Sequence, residues 1–235
     1  MPSHYLPTLN GNSTQVVLTG PEHHHVSIVL RQRVGDQVNL NSGNGWYGYG
    51  RLIAIDKMKS VIDIDDVHYY PPAVTQYAVA FTLLRNKHDE LLTEKLTELG
   101  VKELFPMTTK FSVRNPSGST NKRFQQAALA AIKQCDNPHL PWVHEVQPLF
   151  DALLKVIKLG YKPVIASENR PDFWLDNLPT NQNYCFFIGP EGGFNEEEFN
   201  LLRGHNAIEI CLSPLVLRAE TAAIAIAAQF NLIRR

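Results

Sequence analysis

The sequence predicts an α/β protein in which a small β-barrel precedes a parallel-sheet domain. In residues 1–72, short strand-like segments are separated by glycine-containing turns at residues 33–36 and 41–45, a pattern typical of a small barrel. Beyond this region, apolar strand-like runs alternate with helical patterns, which is the signature of βαβ units. The change of pattern near residues 69–72 therefore predicts two domains, residues 1–72 and residues 73–235.

The first domain is predicted to contain a short helix between its strands. Residues 23–31 form this helix, and they would present Val26, Val29 and Leu30 to a core. The predicted strands, each bounded by turn residues, are residues 16–18, 37–40, 46–53 and 61–64.

The second domain is predicted to alternate strands with helices. The predicted strands, which follow the apolar runs, are residues 77–84, 101–106, 162–166, 184–187 and 208–212. The predicted helices are residues 88–99, 121–135 and 150–159, the segment after Asn195, and residues 221–233. Gly100 is predicted to cap the first of these helices, and Asn195 forms a predicted capping box with Glu198.

Composition excludes several classes of protein. The 235 residues carry 22 lysines and arginines against 23 acidic residues, so the whole chain lacks the basic charge typical of nucleic-acid-binding proteins. No apolar run has the length that spans a membrane, and the N-terminus lacks the pattern of a signal peptide. The 3 cysteines include no C-x-x-C pair, which indicates neither a disulfide framework nor a zinc site. A cytoplasmic protein without a membrane partner is therefore the expected class.

Two short turns near the C-terminus predict one ligand site. The first is the sequence Ile-Gly-Pro-Glu-Gly-Gly-Phe at residues 188–194, and the second lies at residues 212–221. Each turn follows a predicted strand and precedes a predicted helix, and ligands of open α/β sheets bind at the carboxyl ends of the strands. The first turn matches neither the Walker loop nor the dinucleotide-binding fingerprint. Without a ligand, both turns would be tight connections between a strand and a helix.

Four polar or charged residues of the two turns have two interpretations each. Arg218 and Glu220 lie between an apolar segment and an alanine-rich helix, and charged residues at such a junction are usually paired or functional. Arg218 is predicted either to act on a ligand or to fix the loop through a salt bridge. Thr221 is either the N-cap of the last helix or part of an N-terminus whose N–H groups face a ligand. Glu191 either contacts the ligand or lies at the loop surface.

A basic segment indicates either contact with RNA or a solvated surface. Residues 104–135 contain no acidic residue. Their basic residues are Lys110, Arg114, Lys122, Arg123 and Lys133. Basic loops suit phosphate contacts, but a solvated surface has the same composition. Residues 23–25 are all histidine, and no metal site is predicted there because adjacent side chains point in different directions.

The two turns closely resemble the signature of the ribosomal RNA small-subunit methyltransferase E family, and residues 188–194 and 217–222 carry this match. Further matching residues are His25, Val29, Leu30, Arg31, Gly35, Asp36, Lys95, Glu98, Leu99, Gly100, Val101, Ser112, Val113 and Gln134. The resemblance implies a PUA-like β-barrel in residues 1–72 and a SPOUT α/β domain with a trefoil knot in residues 73–235. It also implies a homodimer that uses S-adenosylmethionine to methylate uridine N3 in 16S ribosomal RNA of the small ribosomal subunit.

The same resemblance implies roles for individual residues. The residues expected to bind the cofactor are Ala166, Ser167, Glu168, Ile188, Gly189, Pro190, Glu191, Gly193, Leu212, Ser213, Leu217, Glu220 and Thr221. The expected catalytic residues are Arg218, which would stabilise a uridine anion, and Glu220, which would orient Arg218. The expected RNA contacts are Arg31, Arg33, Lys110, Arg114, Lys122 and Arg123. No metal is required, because the sulfonium of the cofactor already activates the methyl group.

Several positions depart from the family pattern, mostly by losing cationic or hydrogen-bonding groups. They include Ser213, Leu215, Ala219 and Asn137. We expect these departures to affect RNA contact more than cofactor binding. Two other interpretations stay open, namely a SPOUT methyltransferase that acts on another RNA such as transfer RNA, and a non-catalytic RNA-binding protein. A hydrolase that uses Glu191 and Glu220 has the least support, because no nucleophile or metal site accompanies them.

Overall fold

The computed structural model describes residues 2–84, 88–167 and 172–234. These residues form two compact units. The first unit extends to Pro72 and also includes Leu129–Leu140, whereas the second consists of Ala73–Ala128 and the chain from Pro141 onward. The sequence pattern does not reveal that Leu129–Leu140 belongs to the first unit.

Side-chain hydrogen bonds hold Leu129–Leu140 in the first unit. The Asn41 amide donates to the Asn137 carbonyl oxygen at 2.8 Å. The Lys133 ammonium pairs with the Glu22 carboxylate at 2.7 Å. Both contacts join residues that are far apart in sequence, which is why local patterns carry no signal for them.

The first unit contains a five-stranded sheet in its described part. The strands are β1 (His4–Tyr5), β2 (Gln15–Thr19), β3 (Gln37–Asn41), β4 (Trp46–Ile55) and β5 (Lys59–Tyr69). Their order is β1-β3-β4-β5-β2, and every pairing except β1 with β3 is antiparallel. The four strands predicted from the sequence are confirmed, and β5 is longer than predicted.

The predicted helix of the first unit is present but buries fewer residues than expected. Helix α1 (Gly20–His24) continues into a π-helical turn, His25–Val29. Val26 is buried, whereas Val29 and Leu30 are 56% and 40% exposed, so the prediction that both face the core is wrong. In the π-helical turn the Leu30 N–H donates to the His25 carbonyl oxygen, and the helical spacing used for the prediction no longer applies.

The second unit contains a parallel sheet, which confirms the predicted α/β class. Its strands are β6 (Tyr77–Thr82), β7 (Glu103–Thr108), β8 (Trp142–Val143), β9 (Gln147–Pro148), β10 (Lys162–Ala166), β11 (Tyr184–Ile188) and β12 (Ile208–Ile210). The order is β12-β10-β11-β6-β7-β8, and β9 also pairs with β7. All of these pairings are parallel. The carboxyl ends of β10, β11 and β12 therefore lie along one edge.

The helices of the second unit follow the predicted pattern, apart from one start. They are α2 (His88–Glu98), α4 (Leu149–Lys158), α5 (Glu196–Gly204) and α6 (Ala219–Ile233), together with the first part of α3 (Thr120–Cys135), whose residues from Leu129 onward belong to the first unit. Gly100 follows α2 with a φ of +75°, which suits a helix C-terminal cap. Helix α6 is N-capped by Arg218, so the interpretation of Thr221 as its N-cap is wrong.

The sheet is buried on both faces. All positions of β6 and β11 are buried, as is usual for central strands of a parallel sheet. On one face α4 packs through Leu149, Ala152, Leu153 and Val156. On the other face, the Phe230 ring of α6 contacts the Phe186 ring, with centroids 5.3 Å apart. This packing fixes the strand ends from which the second unit's loops begin.

Candidate functional site

A cavity of about 370 Å³ lies at the carboxyl edge of the parallel sheet. It is enclosed by the residues that follow β10, β11 and β12 and by the start of α6. Its walls are formed by Ala166, Ser167, Ile188, Gly189, Pro190, Glu191, Gly192, Gly193, Phe194, Phe199, Cys211, Leu212, Ser213, Leu215, Val216, Leu217, Ala219 and Ala222. The two turns singled out in the sequence therefore meet at one site.

The glycine-rich turn after β11 is closed by its own backbone. The Gly193 N–H donates to the Pro190 carbonyl oxygen at 2.8 Å. Gly193 has a φ of +70°, a conformation that favours glycine. A Cβ atom on Gly189 would lie 3.2 Å from the Gly193 carbonyl carbon, so the two ends of the turn approach closely. The turn consequently presents backbone atoms, not side chains, to much of the cavity.

The start of α5 and the loop at Lys110 pack against the glycine-rich turn. The capping box predicted at the start of α5 is confirmed, because the Glu198 N–H donates to Asn195 Oδ1 and the Asn195 N–H donates to Glu198 Oε2. Glu198 Oε1 also accepts a hydrogen bond of 2.7 Å from the Lys110 N–H. Phe111 packs over Gly192, where an added Cβ would lie 3.3 Å from the Phe111 Cβ. Helix α5 and the loop at Lys110 thus fix the glycine-rich turn.

The turn after β12 is more open. The Cys211 N–H donates to the Phe173 carbonyl oxygen at 2.7 Å, which ties the end of β12 to the chain that follows β10. Ser213 Oγ accepts a hydrogen bond from the Leu215 N–H at 3.1 Å. Leu215 and Val216 line the cavity and yet are 75% and 80% exposed. Apolar side chains therefore border the mouth of the cavity.

The two predicted catalytic residues have different environments. Arg218 is exposed at the N-terminus of α6, where its backbone is extended. The Glu220 carboxylate is 18% exposed and lies 3.3 Å from Nδ1 of His88, the first residue of α2. Glu220 thus pairs with His88 instead of Arg218, and the expectation that Glu220 orients Arg218 has no supporting contact among the described residues.

The structure brings together most of the residues predicted to bind the cofactor. Those that line the cavity are Ala166, Ser167, Ile188, Gly189, Pro190, Glu191, Gly193, Leu212, Ser213 and Leu217. Glu220 and Thr221 do not line the cavity, although they lie in the first turn of α6 between the lining residues Ala219 and Ala222. Glu168 lies outside the described residues. A role of any of these residues in cofactor binding stays a prediction.

Sequence reasoning missed several residues of the cavity wall. They are Phe199, Cys211 and Ala222, which lie outside the two predicted turns. Cys211 and Ala222 directly flank the second turn, so extending it by one residue at each end would have found them. Phe199 lies inside α5 and had no signal of this kind.

The predicted RNA contacts fall into two groups. Arg31, Arg33, Lys110 and Lys122 are exposed. Arg114 and Arg123 instead form ion pairs with consecutive carboxylates of α2, Arg114 with the buried Asp89 and Arg123 with Glu90. Burial raises the pKa of the Asp89 carboxyl, and the Arg114 charge opposes this rise. Arg114 and Arg123 therefore already have carboxylate partners within the second unit.

The described residues also limit what else the protein contains. Within residues 2–84, 88–167 and 172–234, no group of three or more His, Cys, Asp or Glu side chains is arranged to hold a metal ion. None of the helices in that part of the chain combines the length and the apolar character needed to cross a membrane. Among the described residues that line the cavity, Glu191 is the one charged side chain.

Comparison with known proteins defines the class to which this fold and site belong. The family model for the RNA methyltransferase domain matches residues 71–231. The chain belongs to the RNA methyltransferase family. It is 25% identical over 233 residues to the ribosomal RNA small subunit methyltransferase E of Rickettsia conorii, a match that covers 97% of this chain and 94% of that protein. For the Bacillus subtilis protein of the same name, identity is 27% over 234 residues, with coverage of 92% and 91%.

A solved structure supports the same assignment. The ribosomal RNA small subunit methyltransferase E of Neisseria gonorrhoeae, bound to S-adenosyl methionine, matches this fold with a TM-score of 0.88. The two chains are 25% identical, and the match covers 99% of this chain and 98% of that one. The family resemblance drawn from the two turns is therefore confirmed.

Proposed function

We propose that the protein transfers a methyl group from S-adenosylmethionine to N3 of a uridine in 16S ribosomal RNA of the small subunit. The observation that carries this proposal is the cavity at the carboxyl edge of the sheet, whose two turns bear the family signature. The relatives of this name cover nearly the whole chain, which supports the same activity here.

The cavity suits S-adenosylmethionine in size and chemistry. Its volume of about 370 Å³ falls within the range of roughly 300–1,000 Å³ that is usual for ligand pockets. The backbone groups of the two turns provide donors and acceptors for an adenosine, and Ile188, Leu212 and Leu217 provide apolar contact. Glu191 is the charged residue of the described wall, and its carboxylate favours a ligand with cationic groups. Ala166 and Ser167 would complete the wall on the side of β10.

The residues of this chain must then make N3 of the uridine nucleophilic. The bound cofactor supplies a methyl group that its sulfonium already activates. Neutral uridine carries a proton on N3 and is a poor nucleophile, so the site must favour its anion. Arg218 is an exposed cation at the N-terminus of α6, where the helix dipole adds partial positive charge. Both charges favour an anionic N3 at this point.

The finer architecture is part of the proposal. The chain that follows β10 passes beside the end of β12, where Trp174 pairs with Cys211, and α6 begins eight residues later at Ala219. This path supports a trefoil knot of the SPOUT type in residues 73–235.

We infer a PUA-like barrel in residues 1–72 from its strand pattern and the family resemblance. The exposed Arg31, Arg33, Lys110 and Lys122 would contact RNA. A homodimer and a cytoplasmic location complete the proposal.

Transfer of labelled methyl groups tests this function. The protein is incubated with labelled S-adenosylmethionine and small ribosomal subunits that lack the modification, and the labelled base is mapped. We expect label at N3 of one uridine in 16S ribosomal RNA. Free transfer RNA is the matched alternative substrate, and label in transfer RNA but not in the subunit would contradict the proposed substrate.

A further inference from the structure

A histidine–carboxylate pair lies where α2 and α6 begin. Nδ1 of His88, the first residue of α2, is 3.3 Å from Oε1 of Glu220 in the first turn of α6. The His88 side chain is 43% exposed and that of Glu220 is 18% exposed. Glu220 is therefore the more enclosed partner of the pair, and His88 is the more exposed one.

An ionised carboxylate only accepts hydrogen bonds, so the 3.3 Å contact favours the neutral tautomer of His88 that carries its proton on Nδ1, facing Glu220. The lone pair of the ring then lies on Nε2, on the opposite side from Glu220. A histidine held in this tautomer by a carboxylate is the arrangement that enzymes use for a general base.

The pair lies at the edge of the sheet that carries the cavity. Glu220 follows Ala219, which lines the cavity, and Arg218, which caps α6. His88 begins the helix after β6, and β6 is the direct neighbour of β11, the strand that leads into the glycine-rich turn. His88 thus lies at the same edge of the sheet as the proposed site of methyl transfer.

We propose that His88 is the catalytic base that removes the N3 proton of the uridine, and that Glu220 is its positioning residue. This inference rests on the proposed function. The N3–H bond breaks and its proton moves to Nε2 of His88. The electron pair left on N3 forms the bond to the methyl carbon, and the pair of the carbon–sulfur bond stays on sulfur. The imidazolium afterwards releases its proton to water.

Other charged groups near the starts of these helices are accounted for. On α2, Asp89 pairs with Arg114 and Glu90 pairs with Arg123. On α6, Arg218 is the cation that we assign to the uridine anion. Among the described residues, Glu220 is the carboxylate in contact with the His88 ring. The base and the stabilising cation are therefore separate groups, and variants can test them separately.

The dependence of methyl transfer on pH tests the role of His88. In the wild type, kcat/KM for small subunits should rise with pH and then level off, because a general base accepts a proton only in its deprotonated form. At the pH of the wild-type plateau, His88→Gln should be slower by about 10²- to 10⁴-fold, the usual contribution of a general base. Its remaining rate should continue to rise about tenfold per pH unit, because only uridine that has already ionised reacts. A His88→Gln enzyme with the wild-type rate and pH profile would overturn the assignment.

Matched variants separate catalysis from folding. His205→Gln changes another partly buried histidine of the same unit, whose Nδ1 lies 2.9 Å from the Leu201 carbonyl oxygen, and it should keep the wild-type profile. Affinity for S-adenosylmethionine should be the same in the wild type and in His88→Gln. Glu220→Gln should retain the levelling of the profile but with a lower plateau. Equal losses in His88→Gln and His205→Gln would indicate a structural effect and would count against the proposal.

Nitrogen NMR of the imidazole gives a readout that does not depend on activity. The proposal requires that neutral His88 carry its proton on Nδ1 in the wild type. A proton on Nε2 would overturn the proposal even if methyl transfer to the subunit were observed. If the wild type transferred no methyl group to any subunit, the proposed function would fail, whereas the tautomer would still decide whether His88 can act as a base.

Discussion

The two edges of the parallel sheet are built for different tasks. At the carboxyl edge, backbone turns surround a cavity, and Arg218 and the His88–Glu220 pair reach solvent. Near the amino edge, Glu103, the first residue of β7, is enclosed by hydrogen bonds. The same sheet therefore has a cavity with solvent-exposed charged groups at one edge and a closed polar network at the other.

The amino-edge network is satisfied by its own members at most positions. Glu103 Oε2 lies 2.6 Å from His144 Nε2, and Glu103 Oε1 accepts a hydrogen bond of 2.9 Å from the Tyr161 hydroxyl. The His144 ring stacks on Phe105 with centroids 4.0 Å apart. Burial by itself raises the pKa of Glu103, but the hydrogen bonds from His144 and Tyr161 outweigh it, and the net pKa is lowered. Substitutions here should affect stability, whereas substitutions at the carboxyl edge should affect activity.

The largest effect is expected from Arg218→Ala. Removing a group that stabilises developing negative charge usually lowers kcat by about 10²- to 10³-fold. Because Arg218 is exposed and no hydrogen bond from its guanidinium is seen in the described part of the chain, its loss should leave the melting temperature and cofactor affinity unchanged. Single-turnover methylation at saturating cofactor measures the effect, and Arg218→Lys, which keeps the charge, should lose less. A wild-type rate of single-turnover methylation in Arg218→Ala would contradict the assignment of Arg218 as the cation that stabilises the uridine anion.

The next effect concerns the amino edge. Glu103→Gln removes the charge that His144 and Tyr161 surround, and it should lower the free energy of unfolding by about 1–3 kcal/mol. Methyl transfer per folded molecule should not change. Denaturant unfolding and the single-turnover assay measure the two quantities. A loss of activity without a loss of stability would contradict the division between the edges.

The same residue predicts a dependence of stability on pH. Because the folded pKa of Glu103 is lowered, its contribution to stability is fully present above its unfolded pKa, near the ordinary value of 4.5. The contribution is lost as the pH falls through the lower folded pKa. Glu103→Gln lacks this carboxyl, so its unfolding free energy should depend less steeply on pH in that range. If the unfolding free energies of the wild type and Glu103→Gln changed with pH in parallel, Glu103 would not account for the pH dependence of stability.

The smallest effect compares two glycines with similar backbones. Gly193 and Gly160 have φ values of +70° and +84°, and an added Cβ would meet no heavy atom within 4 Å at either position. Alanine in this conformation costs about 1–2 kcal/mol, so both variants should lose similar stability. Only Gly193 lines the cavity, and only Gly193→Ala should bind S-adenosylmethionine several-fold more weakly. Equal cofactor affinity in both variants would contradict a backbone role for the glycine-rich turn.

Local sequence signals predicted the strands and the first turn well. The capping box of Asn195 and Glu198 and the left-handed Gly100 depend on residues at fixed short spacing, and both were predicted. The cavity wall from Ile188 to Gly193 was found for the same reason. Such features need only the neighbouring chain to form.

Contacts between distant segments could not be predicted in this way. His88 and Glu220 are far apart in sequence, and only the packing of α2 against α6 brings them together. His144 meets Glu103 because β8 lies beside β7 in the sheet. The exposed Val29 and Leu30 were wrongly placed because a π-helical turn changes the spacing of side chains. In each case tertiary packing or an irregular helix decided what periodicity alone does not encode.

Calorimetric titration of S-adenosylmethionine tests the division between the two edges most directly. The wild type, Gly193→Ala and Glu103→Gln are titrated under conditions in which all three are folded. We predict one site per chain in the wild type, the same affinity in Glu103→Gln, and weaker binding in Gly193→Ala. Absence of binding to the wild type, or equal weakening in both variants, would contradict a cofactor site at the carboxyl edge of the sheet.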